Sequence, residues 1–226
     1  MSTRVFVLRP EPGLSATMER GRAMGLSMEA MPLSAAEPVA WDIPPGSFDG
    51  MLLGSANGLR HAGERLADLG QMPVYAVGEA TAEEARARGL PVAMIGSGGL
   101  QGLLDALPGD RPLSLLRLSG AEHLPVEAPP HVTIASATVY AIVHHPLGAS
   151  NIDRLGEGGV VLLHSGGTAR HFENECRRTG IDRSKLALAT IGPRVARSVS
   201  DGWKSLRSAS TPDDAALLSL ADIMCH

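Results

Sequence analysis

Four short segments of the sequence place small or hydroxyl-bearing residues between an apolar run and a helical pattern. At such a turn the backbone N–H groups of a helix N-terminus are free, and the helix dipole adds positive charge. Each contact of this kind stabilises a bound anion by about 0.3–1 kcal/mol. We therefore expect these turns to bind a ligand with several negative charges. The turns are Ser55-Ala56-Asn57-Gly58, Gly78-Glu79-Ala80-Thr81, Ser165-Gly166-Gly167-Thr168 and Gly192-Pro193-Arg194-Val195.

Helix capping is the alternative explanation for each turn taken alone. A Ser or Thr side chain at a helix start accepts a hydrogen bond from a backbone N–H group. Ser55 is predicted to cap a helix that continues to Leu66, and Thr81 and Glu84 have the T-x-x-E spacing of a capping box. Because equivalent turns recur in both halves of the chain, the group as a whole favours ligand binding.

Tyr140 is one of only two tyrosines in the chain. It belongs to the apolar run VTIASATVYAIVHHP, which is long for one strand and is predicted to pass from one lobe to the other. At such a crossing the phenol hydroxyl faces a ligand or packs within the hinge, and spacing alone does not decide between these two roles.

Other site chemistries lack their usual patterns. His144, His145 and His164 have no carboxylate or further histidine at ligand spacing, so we expect no metal site. The glycine-rich stretches match neither GxGxxG nor the phosphate-loop pattern, which argues against a nucleotide cofactor. Ser165 lacks the G-x-S-x-G turn of a hydrolase nucleophile. We expect no cofactor.

Composition excludes several classes of partner. The 226 residues carry a net charge of −4 and only 3% aromatic residues, and the basic residues are scattered. We therefore expect no binding to nucleic acid or to an acidic membrane surface. No apolar run reaches the roughly 18 to 20 residues of a membrane helix, and the N-terminal segment does not resemble a signal peptide. Two lone cysteines fit a reducing cytoplasm.

Short apolar runs alternate with helical patterns along the whole chain, which predicts parallel sheets with helical crossovers. The segment GGVVLLHSGGTARHF repeats the pattern of FDGMLLGSANGLRHA, and ALATIGPRVARSVSDG repeats that of VYAVGEATAEEARARG. A last helix, with Thr211 as its predicted N-cap, Pro212 at the first helical position and Asp213 and Asp214 next, matches the helix after residue 98. The duplication predicts two lobes, but periodicity leaves open which lobe the first β-α-β unit joins.

Five segments, in order, carry a resemblance to a known family. They are VFVLRPEPG, MLLGSANGLR, VYAVGEATAEEARARGL, TVYAIVHHP and ATIGPRVARSV. The chain resembles the uroporphyrinogen-III synthase family over nearly its whole length, and the V-G-x-A-T-A helix start is the most specific match. The resemblance implies an α/β fold with two flavodoxin-like parallel-sheet domains joined by a two-stranded linker. It assigns residues 1–34 and 146–226 to domain 1, residues 38–138 to an inserted domain 2, and residues 35–37 and 139–145 to the linker strands.

The resemblance also implies a reaction. Hydroxymethylbilane, a linear tetrapyrrole with several carboxylates, would lose water and close to uroporphyrinogen III with its last ring inverted, in a cleft between the two domains. Tyr140 matches the crossing-strand tyrosine of the family, and a phenol that stays protonated at neutral pH would assist the leaving hydroxyl. The other candidate residues would bind the carboxylate arms of the substrate: Arg9, Ser55, Ala56, Asn57, Gly78, Glu79, Ala80, Thr81, Ser119, Ser165, Gly166, Gly167, Gly192, Pro193 and Arg194. We expect a cytoplasmic monomer that can receive its substrate from hydroxymethylbilane synthase.

Departures from the family pattern keep two alternatives open. Arg194 and Val195 stand where the family usually has two threonines, and Gly54 and His164 replace a frequent threonine. A proline-rich stretch after Gly120 replaces a helix. The first alternative is a tetrapyrrole-binding or regulatory relative without turnover. The second is an unrelated hinge-type protein that binds a small anion.

Overall fold

The computed structural model describes residues 3–123 and 125–226, and these residues form two mostly parallel β-sheets covered by helices. The strands are β1 (Arg4–Val7), β2 (Ser27–Ala30), β3 (Ser34–Pro38), β4 (Gly50–Leu53), β5 (Val74–Val77), β6 (Val92–Gly96), β7 (Leu113–Gly120), β8 (Val132–His144), β9 (Gly159–Leu163), β10 (Leu186–Thr190) and β11 (Ser205–Ser208). The helices are α1 (Gly13–Ala23), α2 (Asn57–Arg60), α3 (Glu79–Ala87), α4 (Gly99–Asp105), α5 (Ala149–Gly156), α6 (Gly166–Thr179), α7 (Pro193–Ala196) and α8 (Asp214–Cys225). Short 3-10 helices lie at Gly63–Leu69 and Arg183–Lys185.

The strand orders of the two sheets define a doubly wound fold. The first sheet has the order β11-β10-β9-β1-β2, and its neighbouring strands pair in parallel. Counted by sequence within that sheet, the order is the 2-1-3-4-5 arrangement of flavodoxin. The second sheet has the order β3-β8-β7-β4-β5-β6, so its strands β4 to β8 lie as 3-2-1-4-5. The predicted fold class, an α/β chain with two parallel sheets, is confirmed.

The chain divides into two compact units, each with its own sheet core. The first unit comprises the chain up to Ala35 together with Val143–His226, and the second unit is Ala36–Ile142. In β1, Phe6 packs into the apolar cluster on one face of the first sheet and Val7 into the cluster on the other, because successive strand side chains point to opposite faces. The second sheet likewise has an apolar cluster on each face. The domain limits drawn from the sequence stay a prediction.

Each sheet has one point where its strand order reverses, and loops at the carboxyl ends of strands diverge there to form a crevice. In the first sheet this point lies between β1 and β9, and in the second between β4 and β7. The chain places Arg9 and His164 after the first pair of strands, and Ser55 and Ser119 at the ends of the second pair. The two switch points are therefore where this fold is expected to bind a ligand.

Two of the four expected helix N-termini are weaker than predicted. The helix expected from Ser55 to Leu66 breaks after one turn: α2 has four residues, and a separate 3-10 helix follows from Gly63, whose φ is +65°. Helix α7 also has only four residues. A helix dipole grows with aligned peptide units, so these two turns contribute little positive charge. Helices α3 and α6, with nine and fourteen residues, keep the predicted character.

The predicted capping box at Thr81 and Glu84 is wrong. Helix α3 begins at Glu79, three residues before the start that a cap at Thr81 implies, because Gly78 adopts φ +76° and turns the chain before it. Thr81 is then a buried residue inside the helix, and the Glu84 carboxylate pairs with Arg60 and not with the helix start. Thr81 and Glu84 therefore have the spacing of a capping box, but Thr81 packs in the core and Glu84 forms an ion pair.

The predicted N-cap at Thr211 is also wrong. Helix α8 is capped by Asp213, whose carboxylate accepts a hydrogen bond of 2.8 Å from the Ala216 N–H group. The Thr211 hydroxyl donates to the Asp213 carboxylate and thus supports the cap from outside the helix. In contrast, Ser165 does cap α6, which is the alternative role considered for this turn, since its Oγ accepts from the Thr168 N–H group at 3.2 Å.

Candidate functional site

A pocket of about 210 Å³ opens at the switch point of the second sheet. It lies at the carboxyl ends of β4 and β7 and brings together three predicted site residues, Ser55, Ser119 and Tyr140. Its volume suits one substituted ring or a side arm of a ligand and not a whole tetrapyrrole. The other residues that line it are Gly54, Leu100, Arg117, Leu118, Gly120, Glu122 and His123.

An irregularity in the sheet aims Tyr140 into this pocket. Strands β7 and β8 pair in register up to Ser119 and Thr138, and the next pair is Gly120 with Tyr140, so β8 has one extra residue. Such a bulge turns the following side chain away from the face that the alternation would give it. Tyr140 therefore leaves the regular alternation of β8 just where the strand borders the pocket.

Gly120 makes room for the Tyr140 ring. A Cβ atom added at Gly120 would lie 2.7 Å from two ring carbons of Tyr140 and 3.0 Å from its hydroxyl oxygen. The Tyr140 carbonyl in turn accepts a hydrogen bond of 2.9 Å from the Ala121 N–H group. Both the ring and the backbone of Tyr140 are thus held against the end of β7.

The His61 imidazole lies on another side of Tyr140. The two ring centroids are 5.7 Å apart, with the ring planes tilted by 37°. Burial lowers the pKa of His61, and the neighbouring Arg60 and Arg88 cations lower it further. His61 is consequently neutral at physiological pH and packs against Tyr140 as an uncharged ring.

Arg117 is the charged residue of β7, a strand that is otherwise made of leucine, serine and glycine, and the sequence analysis missed it. It is only 7% exposed, and it shares one face of β7 with Ser119 because the two residues are two positions apart. Burial lowers the pKa of Arg117, while the negative charge that Tyr140 carries when ionised acts in the opposite direction. The run LSLLRLSG contained the signal, since a cation in a buried strand calls for a specific role.

Ser119 and His123 connect the end of β7 to the loop that follows it. The Ser119 Oγ lies 3.5 Å from the His123 Nδ1, which is 3.0 Å from the Gly120 carbonyl oxygen. The carbonyl requires a donor, so Nδ1 carries the proton and the ring folds back over the strand end. This loop is part of the proline-rich stretch that was predicted to form no helix, and the structure has no helix in its described residues.

At the switch point of the first sheet, the Asp214 carboxylate gathers four side chains from three separate parts of the chain. It accepts hydrogen bonds from the Thr17 hydroxyl at 2.9 Å and from the His164 Nε2 at 2.9 Å. The guanidinium groups of Arg9 and Arg20 approach it at 3.4 and 3.1 Å. The predicted site residue Arg9 is thus tied to a partner of its own unit.

The electrostatics of this cluster keep His164 neutral. Burial lowers the pKa of His164, whose side chain is 8% exposed, and this outweighs the hydrogen bond to Asp214. Burial alone would raise the pKa of Asp214, but the hydrogen bonds from His164 and Thr17 bring the net shift downward. A neutral imidazole therefore donates through Nε2 to an ionised carboxylate, and its buried Nδ1 has no hydrogen-bond partner among the described residues.

The remaining predicted site residues lie outside both clusters. Ser165 follows His164 directly, and Gly166 and Gly167 form the first turn of the long helix α6. Arg194 is exposed at the start of the short helix α7, after Gly192 and Pro193. The residues Ala56, Asn57, Gly78, Glu79, Ala80 and Thr81 occupy the starts of α2 and α3 and do not line the 210 Å³ pocket.

Within residues 3–123 and 125–226, no three His, Cys, Asp or Glu side chains come together in a group able to hold a metal ion. His144 stacks instead on His171, with ring centroids 4.6 Å apart, and the His171 Nε2 bonds to the His145 carbonyl oxygen. Over the same residues, each helix is too short or too polar to traverse a bilayer.

Comparison with known proteins gives one family and a consistent fold. The family model for uroporphyrinogen-III synthase HemD matches residues 15–219. The uroporphyrinogen-III synthetase of Helicobacter pylori 26695 superposes with a TM-score of 0.67 at 18% identity, covering 99% of this chain and 100% of the other. A mutant uroporphyrinogen III synthase of Thermus thermophilus gives a TM-score of 0.51 at 15% identity, with 99% of each chain covered. No match was found among curated proteins.

Proposed function

The chain belongs to the uroporphyrinogen-III synthase family, and we propose that it converts hydroxymethylbilane to uroporphyrinogen III, with loss of water and inversion of the last ring. The observation that carries the proposal is the Tyr140 hydroxyl, which a bulge and a glycine hold in a pocket at the switch point of the second sheet. The pocket is the kind of crevice in which a doubly wound sheet binds its ligand.

Tyr140 acts in this proposal as the proton donor to the leaving hydroxyl. The electron-rich pyrrole releases its hydroxymethyl oxygen as water when the phenol O–H donates a proton to that oxygen. The methylene freed of water then bonds to the already substituted α-carbon of the last ring and gives a spiro intermediate. The older bond between that carbon and its bridging methylene breaks, and the bridging methylene bonds to the free α-carbon of the same ring, which is thereby inverted. The pyrrole that becomes aromatic again releases a proton, which restores the phenol, so that one water is the only other product. No cofactor takes part.

Product choice is a matter of orientation. Unaided closure of the substrate gives the uninverted isomer, so the protein has to hold the chain where the spiro-forming attack is faster. Such positioning accounts for large rate differences without any further chemical group. We propose that the helix starts at Ser165–Gly167 and Gly78–Thr81 bind carboxylate arms through their N–H groups, since α6 and α3 are the two longer helices among the four turns.

Arg9 and Arg194 remain candidate ligands of further carboxylates. Arg194 is exposed and stands where the family usually has a threonine, so its guanidinium can replace a hydroxyl contact by a charged one. Arg9 is bound to Asp214 and would share its charge between that carboxylate and the substrate. We also propose a cytoplasmic monomer that receives its unstable substrate from hydroxymethylbilane synthase.

The product isomer tests the proposal. The purified protein is mixed with freshly generated hydroxymethylbilane, and the products are oxidised and separated by chromatography. We expect mostly the type III isomer, against mostly type I in the protein-free control. Type I product in both samples would contradict the proposed activity and would instead support a relative that binds tetrapyrroles without turning them over.

A further inference from the structure

The pocket at the switch point of the second sheet contains a buried guanidinium beside the candidate proton donor. From this arrangement we infer that Arg117 binds one carboxylate arm of the substrate next to Tyr140 and so fixes the ring that reacts there. The inference rests on the proposed function. It assigns a charged contact to a residue that none of the family motifs includes.

The position of Arg117 favours a negatively charged ligand. The residue is 7% exposed and lines the pocket, so a ligand carboxylate meets its positive charge where little water screens the attraction. The guanidinium also presents its donors in a planar fork that matches the two oxygens of a carboxylate.

The neighbours of Arg117 suit the same ligand group. The Ser119 and Ser55 hydroxyls line the pocket with it, and each is a donor of the kind that completes a carboxylate site. Glu122 is the carboxylate among the lining residues, but it is exposed, so solvent screens its charge. The buried Arg117 charge is screened much less and therefore dominates inside the pocket.

The size of the pocket limits what it can hold. A volume of about 210 Å³ accommodates one pyrrole with its acetate or propionate arm and excludes the remainder of a tetrapyrrole. Because Tyr140 lines the same pocket, the ring whose arm binds Arg117 is the ring next to the proton donor. The contact therefore selects which end of the substrate reacts, as well as adding affinity.

Steady-state kinetics of three variants test the inference. Arg117→Met removes the charge and keeps an apolar stem of similar length, and we expect KM for hydroxymethylbilane to rise at least ten-fold with more type I product. Arg117→Lys keeps the charge without the planar fork and should lie between wild type and Arg117→Met. Arg111→Met is the matched control, because Arg111 is an exposed arginine of the same unit that does not line the pocket, and its KM should stay within two-fold of wild type. A folded Arg117→Met with unchanged KM and isomer ratio would overturn the inference.

A measurement on the wild-type protein covers the case in which Arg117→Met does not fold. The probe is a monopyrrole with one acetate and one propionate arm, and its dimethyl ester is the uncharged control. We expect the acid, and not the ester, to shift the Arg117 Nε–Hε signal in a nuclear magnetic resonance titration. No shift with the acid would contradict the inference even if the type III isomer is formed. Type I product from a protein whose Arg117 signal does shift would instead contradict the proposed function alone.

Discussion

The two sheets share an architecture, yet their switch points differ in how their polar side chains are used. In the first unit, Asp214 is bonded to Thr17, Arg9, Arg20 and His164, so its carboxylate is engaged by side chains of the protein itself. In the second unit, the corresponding place opens into a pocket whose lining combines polar side chains with two leucines and two glycines. The comparison teaches that the same crevice can be closed by an internal network for stability or left open for a ligand.

Backbone features separate the two places as well. The second switch point has a bulge and a glycine in contact with the Tyr140 ring, and both serve to aim one side chain. In the first, the acidic residue sits in the first turn of α8, where the helix dipole stabilises its charge. We therefore expect substitution of Asp214 to lower stability mainly, and substitutions around the second pocket to lower turnover mainly.

The largest expected effect is on stability, from Asp214→Ala. The change leaves two guanidinium groups, a hydroxyl and an imidazole without their shared acceptor, which should lower the free energy of unfolding by about 3 kcal/mol. Chemical denaturation measures it. Asp222→Ala, on the exposed side of the same helix, is the control and should change stability by less than about 0.5 kcal/mol. Equal losses in the two variants would break the distinction between the switch points.

Gly120→Ala tests whether the second switch point serves turnover. The added methyl group meets the Tyr140 ring at 2.7 Å and has to displace it. We expect kcat to fall about ten-fold, because even a small misplacement of a catalytic group is costly. Gly109→Ala in the same unit places its methyl group at an ordinary contact distance of 3.7 Å and should leave kcat unchanged. If both variants kept full activity, the position of the Tyr140 ring would not matter for turnover.

His164→Thr should change how stability depends on pH. The folded state lowers the pKa of His164, so the unfolded chain binds a proton more readily and wild-type stability falls as the pH drops below the unfolded value of about 6.5. Threonine removes this titration and should flatten the dependence between about pH 7.5 and about pH 5.5. Urea unfolding at the two pH values measures it. An equal decrease in both proteins would show that other groups cause it.

Ser165 offers the smallest effect and separates capping from ligand binding. Ser165→Ala removes the cap of α6 and should cost about 1 kcal/mol of stability. Ser165→Asp restores a capping acceptor but brings a negative charge to the proposed carboxylate site. We expect Asp to recover the stability and to raise KM. If Ser165→Asp had both the stability and the KM of wild type, Ser165 would be only a helix cap.

Features of the fold that depend on neighbouring residues could be predicted from the sequence better than features that depend on contacts between distant residues. The parallel-sheet fold class follows from local patterns and is confirmed, and the cap at Ser165 is the alternative that residue type suggested for that turn. The cap at Asp213 was missed because three neighbouring residues, Thr211, Asp213 and Asp214, all have the side chains of a helix cap. The start of α3 was misplaced because the capping pattern at Thr81 carries no information on the positive φ of Gly78.

The site itself was less predictable than the fold. Asp214 binds Thr17 across 197 residues, and no spacing rule reveals such a contact. Arg117 was hidden by its apolar neighbours, which define a buried strand whatever its fifth residue is. The approach of Tyr140 to Gly120 depends on a bulge, which is a property of strand pairing and not of one segment. The family was more accessible than the site, since the five motifs that carry the resemblance lie along most of the chain.

The most direct test of the central claim is single-turnover kinetics of Tyr140→Phe with hydroxymethylbilane, together with the isomer ratio of its product. Removing one hydroxyl leaves the ring and its packing in place. We predict that the rate of cyclisation falls about a hundred-fold, as for the loss of a general acid, while substrate affinity changes by less than about three-fold. The slower reaction should also give more type I product. A rate and an isomer ratio equal to those of wild type would remove Tyr140 from the mechanism.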